Sequence, residues 1–373
     1  MDIHQLLNTM LKMGASDLHI SADSPPVLRI NGRIYPLKAA VLTPELTRAL
    51  AYNLLDEPQK QKFENDNEID LSFSWKGRSR FRANFFMQRG AVSGTVRQIP
   101  NDIPSIDTLG LPPIVEELAN RPNGLILVTG PTGSGKSTTL AAIIDQINRS
   151  QRGHILTIED PIEFVHTHRN CIVNQREVGS DTESFKNALR YILRQDPDFV
   201  LLGEIRDLNS MEAALRISET GHLVLATLHT NNTIQTIHRI IDFFPSSQQE
   251  TVRTQLSFVL AAVISQQLIV NHDGRGRSLA SEIMIPNAAI RNLIREDKTH
   301  QIYSQMQMGQ LQFGMQTMNQ SLVSLVKTGK VSRDEALDAT LEPEELELMF
   351  DGKIPSAAGK AGMRRKTGSE ESN

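Results

Sequence analysis

Two hydrophobic rhythms divide this chain. From residue 3 to 13 apolar positions recur at helical spacing and stop at Gly14. The rhythm then tightens to strict alternation in Asp17-Leu18-His19-Ile20 and Val27-Leu28-Arg29-Ile30. Spacing of three and four puts apolar side chains on one face of a helix, and spacing of two puts them on one face of a strand. Asn31-Gly32 ahead of Ile34-Tyr35 predicts a hairpin turn. Helical patterns around residues 43 to 55 and 57 to 65 follow, then alternating Asp70-Leu71-Ser72-Phe73, Ser79 to Phe86 and Val92 to Ile99. Residues 1 to 100 are expected to form a small α+β domain.

Asn101-Asp102-Ile103-Pro104 and Leu111-Pro112-Pro113 break the pattern, so a linker is expected over residues 101 to 112. Beyond it the apolar runs at 125 to 128, 155 to 158, 199 to 202 and 223 to 228 are continuous. Helical patterns separate them at 137 to 149, 183 to 194 and 208 to 219. Strands buried on both faces read this way, which predicts a parallel sheet covered by helices over residues 113 to 287. Helical patterns then take over from 288 to 351. The tail from Gly352 is rich in Gly, Ala, Ser, Lys and Arg and is expected to be disordered. The fold class is thus α/β, with a smaller amino-terminal α+β domain and a helical carboxyl-terminal region.

Composition narrows the function. With 373 residues the chain can bury two cores. A formal net charge of -4 argues against a dedicated nucleic-acid binder, although a local basic channel in an oligomer would escape a whole-chain sum. Cys171 stands alone, which excludes an internal disulfide or a cysteine-cluster metal site. The longest apolar stretch, Leu256 to Ile264, is interrupted by Ser257 and followed by Ser265-Gln266-Gln267, too short and polar to span a bilayer. The opening MDIHQLLNTMLKMG has neither the positive end nor the long apolar region of a secretory signal. A cytoplasmic location is expected.

The strongest chemical signal is Gly130-Pro131-Thr132-Gly133-Ser134-Gly135-Lys136-Ser137, which fits the P-loop pattern and follows the apolar run Leu125 to Val128. Glycines let backbone N–H groups turn inward around an anion, and the next helix adds the positive end of its dipole. ATP is the expected guest, with Lys136 on the β and γ phosphates, Ser137 on Mg2+ and Thr138 on the α or β phosphate. Hydrolysis also needs a carboxylate for the attacking water. Glu204 is the candidate, at the end of Phe199-Val200-Leu201-Leu202-Gly203 and on a strand expected beside the P-loop strand. Gly203 stands where many P-loop enzymes place an aspartate.

A second acidic group, Glu159-Asp160-Pro161-Ile162-Glu163, follows another predicted strand, where carboxylates face the ligand crevice of an α/β sheet. Glu159 or Glu163 would orient water-bound Mg2+ there. Glu163 is preferred, because the turn itself can consume Glu159 and Asp160. His222 and His229 bracket the run Leu223 to Leu228, and a histidine at the strand exit suits sensing of the γ phosphate. An arginine from a domain or subunit boundary can offset transition-state charge. Arg80, Arg82 and Arg97 in the first domain and Arg206, Arg216 and Arg239 in the second are candidates, and a solvated strand face looks the same.

Five blocks in order, GASDLHI at 14 to 20, GPTGSGKSTT at 130 to 139, TIEDPIE at 157 to 163, RQDPDFVLLGEIRD at 194 to 207 and TGHLVLATLHTN at 220 to 231, resemble the secretion ATPase superfamily of type II secretion and type IV pilus systems. The resemblance spans nearly residues 1 to 350. It implies a PAS-like amino-terminal domain, a RecA-like P-loop ATPase domain and a homohexameric ring. Within the superfamily, AIRNLIRE at 289 to 296 is associated with retraction motors of twitching motility. Read from its residues alone, it is a short helix with Ile290, Leu293 and Ile294 inward and Arg291, Arg295 and Glu296 outward. Extension motors are longer and usually carry a four-cysteine metal site, whereas this chain has one cysteine and no added amino-terminal region.

The resemblance therefore implies an ATPase driving type IV pilus retraction, peripheral at the cytoplasmic face of the inner membrane. Its implied partners are an inner-membrane pilus platform protein and a paralogous retraction ATPase, with no direct nucleic-acid partner. Arg82 and Arg97 become the arginines expected to approach nucleotide. An auxiliary paralogue that assists another retraction ATPase is the nearest alternative. A non-catalytic nucleotide-binding assembly component is a second, opposed by intact Lys136, Ser137, Glu204 and His229.

Overall fold

The computed structural model describes residues 2–30, 32–75, 79–99 and 102–353. Asn31 of the expected hairpin, Asn101 of the expected linker and the tail from residue 354 lie outside the described residues. The chain forms two compact units. One holds the residues up to Asp102 together with Glu163–Val165, and the other holds Ile103–Ile162 and the residues from His166 onward.

The first unit opens with α1 (Ile3–Lys12), started by a capping box in which Asp2 accepts from the His4 N–H and the Gln5 side chain accepts from the Asp2 N–H. Its Ile3, Leu6, Leu7 and Met10 are buried. Strands β1 (Asp17–Ile20), β2 (Val27–Ile30) and β3 (Arg33–Pro36) precede α2 (Pro44–Tyr52) and α3 (Glu57–Asp66). Strands β4 (Glu68–Trp75), β5 (Ser79–Gln88) and β6 (Ala91–Ile99) complete an antiparallel sheet in the order β3-β2-β1-β6-β5-β4. Alternation decides which face is core: Phe81, Ala83 and Phe85 are buried on β5, while Arg80, Arg82 and Asn84 point the other way. Burying each phenylalanine contributes about 1.5–3 kcal/mol, so a register slip that reversed the faces would be opposed by the whole strand. Trp75 donates its indole N–H to His4 Nδ1 at 2.9 Å and stacks on that ring.

The second unit begins with α4 (Ile114–Ala119) and β7 (Gly124–Thr129), followed by α5 (Lys136–Ser150), β8 (His154–Glu159) and β9 (Ile172–Glu177). Helix α6 (Phe185–Tyr191) is shorter than the pattern suggested, since Ser184 caps its start and a 3-10 turn, Ile192–Arg194, ends it. Then come β10 (Phe199–Glu204), α7 (Leu208–Glu219), β11 (Leu223–Leu228), α8 (Thr233–Asp242) and α9 (Gln249–Val259). Strands β12 (Leu260–Val270) and β13 (Arg277–Met284) end the seven-stranded sheet, whose order is β13-β12-β7-β11-β10-β8-β9. The expected parallel sheet is thus mixed, because β13 runs antiparallel to β12. The apolar stretch from Leu256 splits at Val259 between a helix end and a strand start, which continuous burial does not distinguish.

Helices α10 (Ala288–Arg295), α11 (Ile302–Met308), α12 (Gln310–Phe313), α13 (Met318–Lys327), α14 (Arg333–Ala339) and α15 (Pro343–Phe350) follow. Leu322, Val323, Ala336, Leu346 and Met349 from this region close over Ile269 and Ala280 at one side of β12 and β13. In α10 one expectation is corrected: Arg291 is half-buried rather than outward. Its guanidinium donates to the carbonyls of Ser257, Phe258, Leu260 and Pro286, capping the end of α9. The unpaired carbonyls of that helix end outweigh solvation of the arginine.

Candidate functional site

Strand β7 delivers the chain into residues 130–135, and α5 starts at Lys136. Gly130, Gly133 and Gly135 adopt φ of 139°, 79° and 89°, where a side chain is strained. At Gly130 a Cβ would also lie 2.3 Å from the Gln266 carbonyl oxygen. Gly135 offers α5 no side-chain cap, so the first-turn N–H groups open toward the loop hollow, an arrangement suited to phosphate. Pro131, Thr132 and Gly133 form its exposed rim, Ser134 is buried, and Ser137 and Thr138 are half-buried in the first turn of α5. Lys136 Nζ donates to the Gly130 and Pro131 carbonyls at 2.8 and 3.0 Å.

One support was missed by the sequence reading. Gln266, buried on β12, donates from Nε2 to Thr139 Oγ1 at 3.0 Å and to the Ser134 carbonyl at 3.4 Å, holding the loop from beneath. From sequence alone Gln266 is only a polar residue following an apolar stretch. A polar side chain at a fully buried strand position was the available signal, because such a group needs partners.

The expectation that the Glu204 strand lies beside the P-loop strand is corrected by the sheet order. Strand β11 lies between β7 and β10. At about 4.8 Å per strand this puts β10 roughly 10 Å from β7, with the exit of β11 between them. His229 leaves that middle strand, and its Nε2 sits 3.1 Å from Glu204 Oε1. Arg206 holds the other carboxylate oxygen at 2.8 Å. The Arg206 hydrogen bond is the main cause that keeps the Glu204 carboxyl below the usual glutamate range. Burial opposes it, and His229 adds to it.

Gly203 has a local reason. The pairing of β10 with β11 slips between Leu202 and Glu204, a bulge that re-aims Glu204. Thr227 Oγ1 donates to the Gly203 carbonyl at 2.7 Å. A Cβ on Gly203 would lie 3.4 Å from Glu159 Cα and 3.4 Å from the Ile158 carbonyl oxygen, an ordinary contact with the end of β8.

Glu159, at that end, accepts from Thr157 Oγ1 at 2.6 Å and Gln175 Nε2 at 3.0 Å. Glu163 is exposed beyond β8, in the segment that groups with the first unit. His222 is at the opposite end of β11 from His229, with Nδ1 3.1 Å from the Ile217 carbonyl and 3.0 Å from Thr220 Oγ1. On the first unit's open sheet face, Arg82 lies directly opposite Arg97, and Arg97 opposite Asp17. Asp17, missed as a partner, accepts from Arg97 Nε at 2.7 Å and lies 3.8 Å from Arg29 Nε. Burial raises the Asp17 carboxyl, but hydrogen bonds from Ser16 and Arg97 with the arginine charge bring it below the usual range. Arg82 is 3.6 Å from Asp70.

Among the described residues no cluster of three or more His, Cys, Asp or Glu side chains could hold a metal ion unaided. A hydroxyl at the start of α5 with carboxylates at neighbouring strand ends instead fits Mg2+ brought in by nucleotide phosphates, since Mg2+ keeps most of its water.

The profile of the type II/IV secretion system protein family matches residues 1–338. A Pseudomonas aeruginosa protein named as the type IV pilus retraction ATPase PilT is 48% identical over 344 residues, 92% of this chain and 99% of that protein. From the same organism, the type IV pilus ATPase PilU is 41% identical over 350 residues, 94% of this chain and 91% of that protein. A crystal structure described as the pilus retraction motor PilT with bound ADP superposes with a TM-score of 0.88 at 53% identity, covering 93% of this chain and 99% of that one.

Proposed function

The chain belongs to the type II/IV secretion system protein family, with a RecA-like P-loop fold, and from that premise we propose that it is an ATPase motor powering type IV pilus retraction and twitching motility. The observation that carries the reading is the pairing of Glu204 with His229 at the carboxyl ends of adjacent strands, one strand away from the phosphate loop.

ATP lies in the loop from Gly130 to Ser137. Lys136 leaves the Gly130 and Pro131 carbonyls for the β and γ phosphates, and Thr138 steadies the α or β phosphate. Ser137 and Glu163 would hold Mg2+ with its waters, and the ion would supply positive charge against the phosphates. Glu204 takes a proton from water as the water oxygen attacks the γ phosphorus, and the bond to the ADP oxygen breaks. Its low proton affinity keeps the carboxylate ionised, ready to accept. Phosphate release is felt at His229. Arg82 and Arg97 approach the transferred phosphoryl group and offset its charge.

Six copies form the ring, and hydrolysis changes how domains and neighbouring subunits sit on each other. The ring acts on an inner-membrane platform protein, and the motor stays peripheral at the cytoplasmic face. No helix among the described residues is long and apolar enough to cross a membrane. The 41% identity to PilU favours a second reading, an auxiliary motor that assists a paralogous retraction ATPase.

Pilus retraction in cells lacking every endogenous retraction ATPase, supplied with this chain or its Lys136→Ala variant, is the test. Retraction with the parent and none with the variant establishes an autonomous motor. A well-expressed parent that hydrolyses ATP but retracts nothing favours the auxiliary reading, and absent phosphate release removes the ATPase assignment.

A further inference from the structure

We propose that Glu282 is a positioning residue that holds the His229 loop by capping α8, and that through its strand, β13, it ties this loop to the carboxyl-terminal helices. The inference rests on the ATPase reading only for its kinetic consequence.

Glu282 lies on β13 and is 4% exposed. Its Oε1 accepts both the backbone N–H and the hydroxyl of Thr233 at 2.8 Å each. Thr233 is the first residue of α8, directly after His229-Thr230-Asn231-Asn232. The α8 N-cap, Asn232, is already engaged by the Gln235 N–H at 2.7 Å, so the first helical N–H needs another acceptor. Helix α13, capped by Thr317 at Gln320, is held by the same strand: the Ser281 N–H donates to Ser321 Oγ at 3.1 Å. The buried carboxylate thus takes the first N–H of α8 at the positive end of its dipole, while the neighbouring residue on its strand holds α13.

Burial drives the Glu282 carboxyl upward, and the bonds from Thr233 oppose that rise. A buried carboxylate of this kind is tolerated only where donors satisfy it. The seat of α13 is fixed independently by Ile283 and Gln316, which exchange backbone hydrogen bonds at 2.7 and 3.0 Å. The strand carrying Glu282 therefore moves with the start of α13. A shift of the His229 loop on phosphate release has a direct mechanical route, through Thr233 and Glu282, to the helices α13 to α15.

The test compares full-length Glu282→Ala and Glu282→Gln with a control, Leu322→Ala, which loosens the α13 core away from α8. At a temperature where all are folded, Glu282→Ala is expected to lower kcat about tenfold or more with KM for ATP within about twofold, and Glu282→Gln to recover most of the rate because its carbonyl still accepts. Leu322→Ala is expected to lower Tm while keeping kcat within about twofold. Amide hydrogen exchange without nucleotide should rise in Glu282→Ala at 233–236, and in Leu322→Ala at 318–321 alone. Unchanged exchange at 233–236 overturns the cap whatever the turnover. Unchanged kcat, or equal losses in Glu282→Ala and Leu322→Ala, overturns the positioning role. Should Glu282→Ala fail to fold, Thr233→Val removes one donor and must give a smaller loss of kcat in the same direction. A parent chain without ATPase activity would sink the enzymatic reading and leave the exchange result to decide the cap.

Discussion

The antiparallel sheet of the first unit carries its candidate arginines mid-strand on an open face, whereas the candidate catalytic groups of the second unit, Glu204 and His229, stand where strands end. In the first, Arg82 and Arg97 are neighbours because two strands pair in one register, and Arg97 is already engaged by Asp17. In the second, Glu204 and His229 meet because parallel strands all leave the sheet at the same edge. An open face can hold charged groups cheaply, since water solvates them, but it gives each only weak constraint. A strand end flanked by buried neighbours constrains strongly, because every polar group there must find a partner. The first sheet is therefore expected to tolerate substitution better than the second.

The sharpest break of that contrast is Glu204→Gln. Turnover is expected to fall about 100-fold to 10,000-fold, the usual worth of a general base, while ADP affinity stays near that of the parent. Undiminished steady-state phosphate release would end its assignment as base. Arg291→Ala should cost about 2 kcal/mol of stability in urea, because four carbonyls at the end of α9 and the start of α10 lose their donor. Any loss of retraction in that variant must then be separated from loss of fold, and an unchanged urea midpoint would show that the capping bonds contribute nothing to stability.

Arg97→Ala is expected to cost about 1 kcal/mol, less than Arg291, because Asp17 keeps Ser16 and Arg29. Since the Asp17 carboxyl is depressed in the folded chain, this contribution is present above its unfolded value and fades as pH falls through the folded one. The parent and variant curves of stability against pH should converge in acid, and a constant gap would show that the pair is not its source. Arg82→Ala, exposed beside Asp70, should change stability by less than about 0.5 kcal/mol, so a large drop in turnover would report its role at nucleotide. Smallest of all is Arg206→Gln. Losing the main cause of the low Glu204 proton affinity should move the acid limb of kcat/KM to higher pH with little effect near neutrality. An unmoved limb would assign it to another group.

Much of this contrast is legible in the chain itself. The parity of Phe81 and Ala83 against Arg80 and Arg82 places the two faces of β5 correctly, and the continuous run before Gly130 places the P-loop strand. What escapes is long-range. Whether β10 adjoins β7 or is separated by β11 depends on strand order, which no local pattern encodes. The bulge at Gly203 arises in the pairing of β10 with β11, a partner distant along the chain. Gln266 and Glu282 look like ordinary polar positions in strand-like sequence, and their partners, Thr139 and Thr233, are far away along the chain. Arg291 sits at a position that helical periodicity alone assigns to solvent, and only the end of α9 turns it inward.

The chain's single tryptophan, Trp75, is stacked on His4 within the first unit, and the larger ATPase unit contains none. Indole fluorescence is therefore a private signal of the amino-terminal unit. Followed alongside circular dichroism, which is weighted toward the larger unit, it separates the two unfolding transitions without any label.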